Sequence, residues 1–176
     1  GTNGKGSVAS FLASIFIKAG KTVNLYSSPH LINFNERINI LGKDISDEFL
    51  LEILRIVDKK NKGREITFFE VVTAAAFKAF SMVKSDITIL EVGLGGRLDA
   101  TNVIDRPLIS IITPIGIDHT DFLGNNIRKI ACQKIGIIKK NVPVLVGKQN
   151  LMVNDMIRNS SLKLENESYF YGRDWK

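Results

Sequence analysis

Gly1-Thr2-Asn3-Gly4-Lys5-Gly6-Ser7, with the amphipathic stretch that follows it to residue 19, decides how this chain is read. Glycines leave backbone N–H groups free to surround phosphate oxygens, Lys5 adds a mobile positive charge, and a helix start contributes its dipole. Such a loop is the turn between a buried strand and its helix, which points to an α/β sheet. The common pattern puts Ser or Thr directly after the Lys; here Gly6 intervenes and Ser7 comes second. From the residues alone the segment is a phosphate cradle or a glycine-rich helix start without a nucleotide. The helix is expected over residues 5–19, with Phe11, Leu12, Ile15 and Phe16 on its buried stripe and Gly20 as the left-handed residue that stops it.

Outward from this loop, short β-branched apolar runs alternate with longer amphipathic stretches, the pattern of a mostly parallel sheet with helices on both faces. Strands are expected over residues 23–26, 86–92, 108–113 and 142–146. The apolar run at 86–92 reads as a strand buried on both faces. Residues 27–36, rich in Ser, Asn and Pro, read as a long loop before an extended run at 37–41. Ser46 is a candidate N-cap for a helix over 47–60. Further helices are expected over 67–84, packing through Phe68, Val71, Val72, Ala75 and Phe80, and over 125–138. Residues 149–176 suggest a helix followed by a segment with no assignable form.

A chain of 176 residues, 44% hydrophobic, can bury one ordinary core. Its apolar runs are too short to span a bilayer and its start lacks the succession of a signal peptide, so no membrane role and a cytoplasmic location are expected. The single Cys132 can form neither an internal disulfide nor a zinc site, and reads as a small buried hydrophobe on a helix. A net charge of +6 and a pI near 9.5 favour anionic ligands. Lys59, Lys60, Lys62 and Arg64 form a solvated charge run where a helix ends. No aromatics interleave with them, which argues against a nucleic-acid platform.

Every functional candidate falls where a strand gives way to the next element, the edge at which open parallel sheets bind ligands. Glu91 ends the strand at 86–92, and a carboxylate there suits a hard cation such as magnesium. Behind it Gly93, Gly95 and Gly96 let the chain pass close to a ligand, and Arg97 can pair with a phosphate or carboxylate; a glycine-rich surface turn is the alternative. Thr113 to His119 ends the next strand, with His119 either a cation ligand or a hydrogen-bonded loop residue. Lys134, on the following helix, reads as a solvated lysine.

These four segments, in this order, resemble the Mur ligase superfamily, and specifically its folate branch, the folylpolyglutamate and dihydrofolate synthases. Ser27-Ser28-Pro29-His30-Leu31 with Asn35-Glu36-Arg37-Ile38 is similar to that branch's long loop, Thr67-Phe68-Phe69-Glu70 to its segment before a core helix, and the Lys-Gly-Ser spacing to its phosphate loop. The resemblance runs from Gly1 to about Lys148. It implies a P-loop NTPase-like Mur ligase central domain with Gly1, Thr2, Asn3, Gly4, Lys5, Gly6 and Ser7 on ATP. Ser28 and Glu91 would surround a first magnesium and His119 would ligate a second. Lys134 matches a lysine that the family carbamylates, although Gln133 stands where the family usually has Glu. Phe69, Glu70, Arg97, Asp99 and Asn102 are expected to bind substrate, and Lys5, Glu91, His119 and Lys134 to act in catalysis.

The implied reaction joins L-glutamate to a folate or dihydropteroate carboxylate at the expense of ATP, in a monomeric enzyme. By the same resemblance, residues 1–176 are expected to be one partial ATP-binding domain, incomplete at both ends, without its first strand and the carboxy-terminal glutamate-ligase domain. A cell-wall Mur ligase, a kinase, and a non-catalytic remnant of a split or decayed gene are the alternatives. The Phe-Phe-Glu segment and the Lys-Gly-Ser spacing favour the folate branch over the first two.

Overall fold

The computed structural model describes residues 4–116 and 126–176. Two compact units make up the chain, one of residues 6–93 and one of residues 94–176 with Gly4 and Lys5.

The first unit begins with α1 (Lys5–Lys18), which Gly20 ends with φ +77° as expected. β1 (Val23–Tyr26) follows, then a 3-10 turn at Phe34–Arg37, β2 (Ile38–Ile40) and β3 (Lys43–Asp44). α2 (Asp47–Asn61) and α3 (Phe68–Met82) lead to β4 (Ile87–Leu90). The sheet order is β3-β2-β1-β4, with β1 and β4 parallel and β1, β2 and β3 joined antiparallel. β3 is too short for a sequence pattern to reveal. Ser46 caps α2 by accepting from the Phe49 N–H at 3.2 Å. α2 and α3 pack together over Ile53, Val72, Ala75, Ala76 and Ala79, all buried, and the small alanines allow the close approach.

The second unit holds a wholly parallel sheet, β5 (Ser110–Ile112), β6 (Val144–Val146) and β7 (Ser168–Phe170), in the order β5-β6-β7. The helices α4 (Ile127–Ile135) and α5 (Leu151–Lys163) start at Asn126 and Asn150, whose side chains accept hydrogen bonds from main-chain N–H groups of the first turn. Its core joins Ile112, Ile130, Val144, Val146, Val153, Ile157 and Phe170.

Several expectations change. In α1 the buried residues are Ala9 and Ala13, while Phe11 is 68% and Ile15 61% exposed. The larger apolar residues of this helix therefore do not mark its buried face. Phe68 is 64% exposed at the start of α3. Among the described residues β4 ends its sheet order, and its Thr88 is exposed, so the expected burial on both faces is not seen. Cys132 is exposed on α4. The unassigned tail forms α5 and β7, the latter paired in parallel with β6. No helix among the described residues is long and apolar enough to cross a membrane.

Candidate functional site

β4 carries the central carboxylate of the first unit. The parallel pairing with β1 continues past the strand end, where the Glu91 N–H donates to the Tyr26 carbonyl at 2.9 Å. This delivers the side chain to the carboxyl edge of the sheet, where Glu91 is only 5% exposed. The Ser28 main-chain N–H donates to its Oε2 at 3.2 Å. A Cβ built on Gly6 would stand 3.5 Å from both Glu91 oxygens, so only glycine leaves this space open beside the first turn of α1. The structure thus brings together Gly6, Ser28 and Glu91. Gly4 takes φ +75° ahead of the helix, and Lys5 and Gly6 are half-buried, with Ser7 exposed.

A buried carboxylate next to a helix start, with open space at Gly6 beside it, fits a hard divalent cation with a phosphate. Among the described residues no group of three or more His, Cys, Asp or Glu gathers as a metal cluster. One carboxylate completed by substrate phosphates and water is the usual magnesium arrangement. Gly1, Thr2 and Asn3, and His119 with the rest of residues 117–125, lie outside the described residues.

The loop over residues 27–36 is more ordered than its composition suggests. The Glu36 carboxylate accepts from the main-chain N–H groups of Leu31 at 2.7 Å, Ile32 at 3.1 Å and Asn33 at 2.8 Å. Those bonds, led by Asn33 and then Leu31, hold the carboxyl below its ordinary range. The Glu36 carboxylate on the Asn33 N–H is the returning half of a capping box, a spacing that the reading of residues 27–36 as an irregular loop missed. Arg37 donates from Nε to His30 Nδ1 at 2.9 Å, and its guanidinium lies 5.8 Å from the Phe34 ring centroid and 5.7 Å from that of Phe68.

Glu70 caps its own helix. The Thr67 N–H and hydroxyl both donate to Glu70 Oε2 at 2.7 Å, and these bonds hold the carboxyl below its ordinary range. Phe69 is half-buried against Tyr26, with ring centroids 6.1 Å apart. A Cβ on Gly93 would fall 2.4 Å from the Phe69 ring, so the ring lies flush on the chain just past Glu91.

In the second unit Asp99 shapes the glycine-rich loop from within. Its Oδ2 accepts from the Leu94 N–H at 2.9 Å, and its Oδ1 accepts from the Thr101 N–H at 3.0 Å and hydroxyl at 2.6 Å. Arg97 is exposed, and its N–H donates to the Gln133 carbonyl at 2.8 Å. Arg97, Asp99, Asn102 and Lys134 are therefore gathered on one loop and the last turn of α4. Lys134 is half-buried, not the open surface lysine of the residue-level reading. Gln149 escaped sequence reasoning altogether. Its amide accepts from the Ile115 N–H at 2.8 Å and donates to the Thr113 carbonyl at 2.9 Å, holding the segment that leaves β5. No local pattern marks a contact across more than thirty residues.

The Mur ligase middle domain matches residues 1–174 of this chain. A Haemophilus influenzae dihydrofolate synthase/folylpolyglutamate synthase is 47% identical over 86% of the chain and 34% of its own length. The Bacillus subtilis protein of the same description is 44% identical over 84% of the chain and 36% of its own. The chain thus spans about a third of the length of these curated relatives. Among solved structures, E. coli FolC in complex with DHPP and ADP superposes with a TM-score of 0.90 at 34% identity, covering 97% of this chain and 41% of that one. A bifunctional folylpolyglutamate synthase/dihydrofolate synthase from Yersinia pestis, complexed with AMPPNP and Mn ion, gives 0.87 at 37% identity over 96% of this chain and 40% of its own.

Proposed function

Because the chain belongs to the Mur ligase family through its middle domain, we propose that it supplies the ATP-binding part of a cytoplasmic ligase that joins L-glutamate to a folate or dihydropteroate carboxylate. The observation that carries this reading is Glu91, 5% exposed at the strand edge and facing Ser28 and the glycine start of α1. Support comes from relatives described as dihydrofolate and folylpolyglutamate synthases and from neighbours solved with ADP or AMPPNP.

Gly1 to Ser7 hold the ATP phosphates, with Lys5 on the transferring group. The γ-phosphoryl passes to a carboxylate oxygen of the acceptor, giving an acyl phosphate and ADP. The glutamate amine then attacks the acyl carbon, forms the amide, and phosphate leaves with that oxygen. Both first-step reactants are anions, so the barrier is largely repulsion and charge on the moving phosphoryl. Glu91 and Ser28 would hold a magnesium ion and His119 a second, and such ions would screen that charge. Lys134, if carbamylated, would become a carboxylate-like group able to help hold metal. Arg97, Asp99 and Phe69 serve the acceptor, Phe69 through its half-buried ring.

In the complete gene product, Lys5→Ala is expected to abolish glutamate-dependent phosphate release while the protein remains folded. Undiminished release in that variant would overturn the assignment of the loop.

A further inference from the structure

The loop after Glu91 and the end of α4 meet main chain to main chain. Gly96 has φ +148°, and a Cβ there would fall 2.8 Å from the Gln133 carbonyl oxygen and 3.2 Å from Lys134 Cα. A Cβ on Gly136 would lie 2.4 Å from Arg97 Cβ. Each glycine permits the approach; neither one holds it.

The Arg97 main-chain N–H ties the two segments at the Gln133 carbonyl, and Asn102 adds a side-chain clasp one turn further on. Its side-chain amide donates to the Arg97 carbonyl at 3.0 Å and to the Gly136 carbonyl at 3.1 Å, one acceptor on each of the facing segments. The Gly136 carbonyl lies where α4 has run out of N–H partners, so it needs a donor from outside the helix. A short planar amide with two N–H groups meets both acceptors at once. The Lys139 ammonium secures Asn102 from the other side, donating to its carbonyl at 3.1 Å.

We propose that Asn102 is a positioning residue for Lys134, pinning the last turn of α4 to the glycine-rich loop so that the lysine keeps one placement during the reaction. This rests on the role given to Lys134 above. The expectation that Asn102 binds substrate gives way to an indirect one, because its amide donors both serve the chain itself.

Asn102→Asp keeps the shape but turns a carboxylate oxygen toward carbonyls that need a donor, and Asn102→Ala removes the pin. In the complete gene product both are expected to lower kcat by about tenfold or more, the range for groups that orient a functional residue, with KM for ATP and acceptor changed by less than about twofold. Amide exchange should quicken at residues 96–99 and 133–138. Combined with Lys134→Ala, neither should lower the residual rate further, since a pin for an absent lysine has nothing to place.

A raised acceptor KM with kcat intact would overturn the proposal in favour of direct substrate contact, as would losses that multiply with Lys134→Ala. Full activity of Lys134→Ala would instead sink the role of the lysine itself, and the two failures are thereby told apart. Should the Asn102 variants not fold, Lys139→Gln loosens the same residue from its carbonyl side. It is expected to lower kcat in the same direction by a smaller factor, and an unchanged kcat in Lys139→Gln would count against the pin.

Discussion

Residues 6–93 and 94–176 secure their functional groups by different physical means. In the first unit Glu91 is held by burial at the end of a paired strand, with one N–H from Ser28 and a glycine on the neighbouring helix. The chain past it meets a side chain, the Phe69 ring on Gly93. In the second unit Arg97 and Lys134 are half-buried or exposed, and their placement comes from main chain lying on main chain at Gly96 and Gly136. A ring can turn aside or be replaced by a smaller side chain, whereas a carbonyl and a Cα move only with their whole segment. The first arrangement therefore tolerates compensation that the second does not.

Glu91→Gln breaks the first half at its chemistry while leaving its shape. Loss of the buried charge that would meet a cation and ATP is expected to lower glutamate-dependent turnover by on the order of a hundredfold or more. Thermal unfolding without nucleotide should show a folded protein, and the rise in melting temperature on adding magnesium-ATP should shrink. Turnover within a few-fold of the parent would remove Glu91 from the site.

Gly136→Ala breaks the second half at its shape while leaving every charge. The added carbon meets Arg97 Cβ at 2.4 Å and Arg97 Cα at 2.8 Å, and the expected loss is about 3 kcal/mol, the upper part of the range for overpacking. Gly93→Ala meets the Phe69 ring at 2.4 Å and should cost about 1–3 kcal/mol. The comparison turns on rescue, measured by denaturant unfolding. Phe69→Leu should return part of the stability lost in Gly93→Ala, while Arg97→Ala, which keeps Cα and Cβ, should return little of that lost in Gly136→Ala. Equal rescue in both pairs would erase the distinction.

The smallest effect belongs to Thr67→Ala, which removes an N-cap and is expected to cost about 1 kcal/mol. Thr67 also lowers the carboxyl of Glu70, first through its side chain and then its N–H. A carboxyl lowered in the folded state adds stability that is present above its unfolded value and fades as pH falls through the folded one. The gap between parent and Thr67→Ala should accordingly narrow in acid. A gap that widened there would contradict the capping geometry.

Much of the fold was legible because its elements announce themselves locally. Ser46, Gly20 and the β-branched residues of β6 lie where their chemistry requires. Misreadings arose where packing chose differently from hydrophobicity. α1 buries Ala9 and Ala13 and leaves Phe11 and Ile15 exposed, so side-chain size and apolarity did not mark its buried face. β7 escaped notice because Ser168, Tyr169 and Phe170 make too short a run to signal a strand, and only its pairing with β6 defines it. At the site, Glu91 was legible as the end of an apolar strand. Glu70 was not recognised as a cap, although its spacing from Thr67 is that of a capping box. Asn102 reaches Gly136 across 34 residues, a relation that no local spacing encodes.

The central claim is that an acceptor carboxylate is activated by phosphoryl transfer before glutamate attacks. Incubating the complete gene product with ATP, glutamate and a folate acceptor whose reacting carboxylate carries oxygen-18, then weighing the released phosphate by mass spectrometry, tests it directly. Phosphate carrying one atom of the label is the expected result, because the bridging oxygen of the acyl phosphate leaves with phosphorus. Phosphate free of label, with amide still formed, would contradict the account.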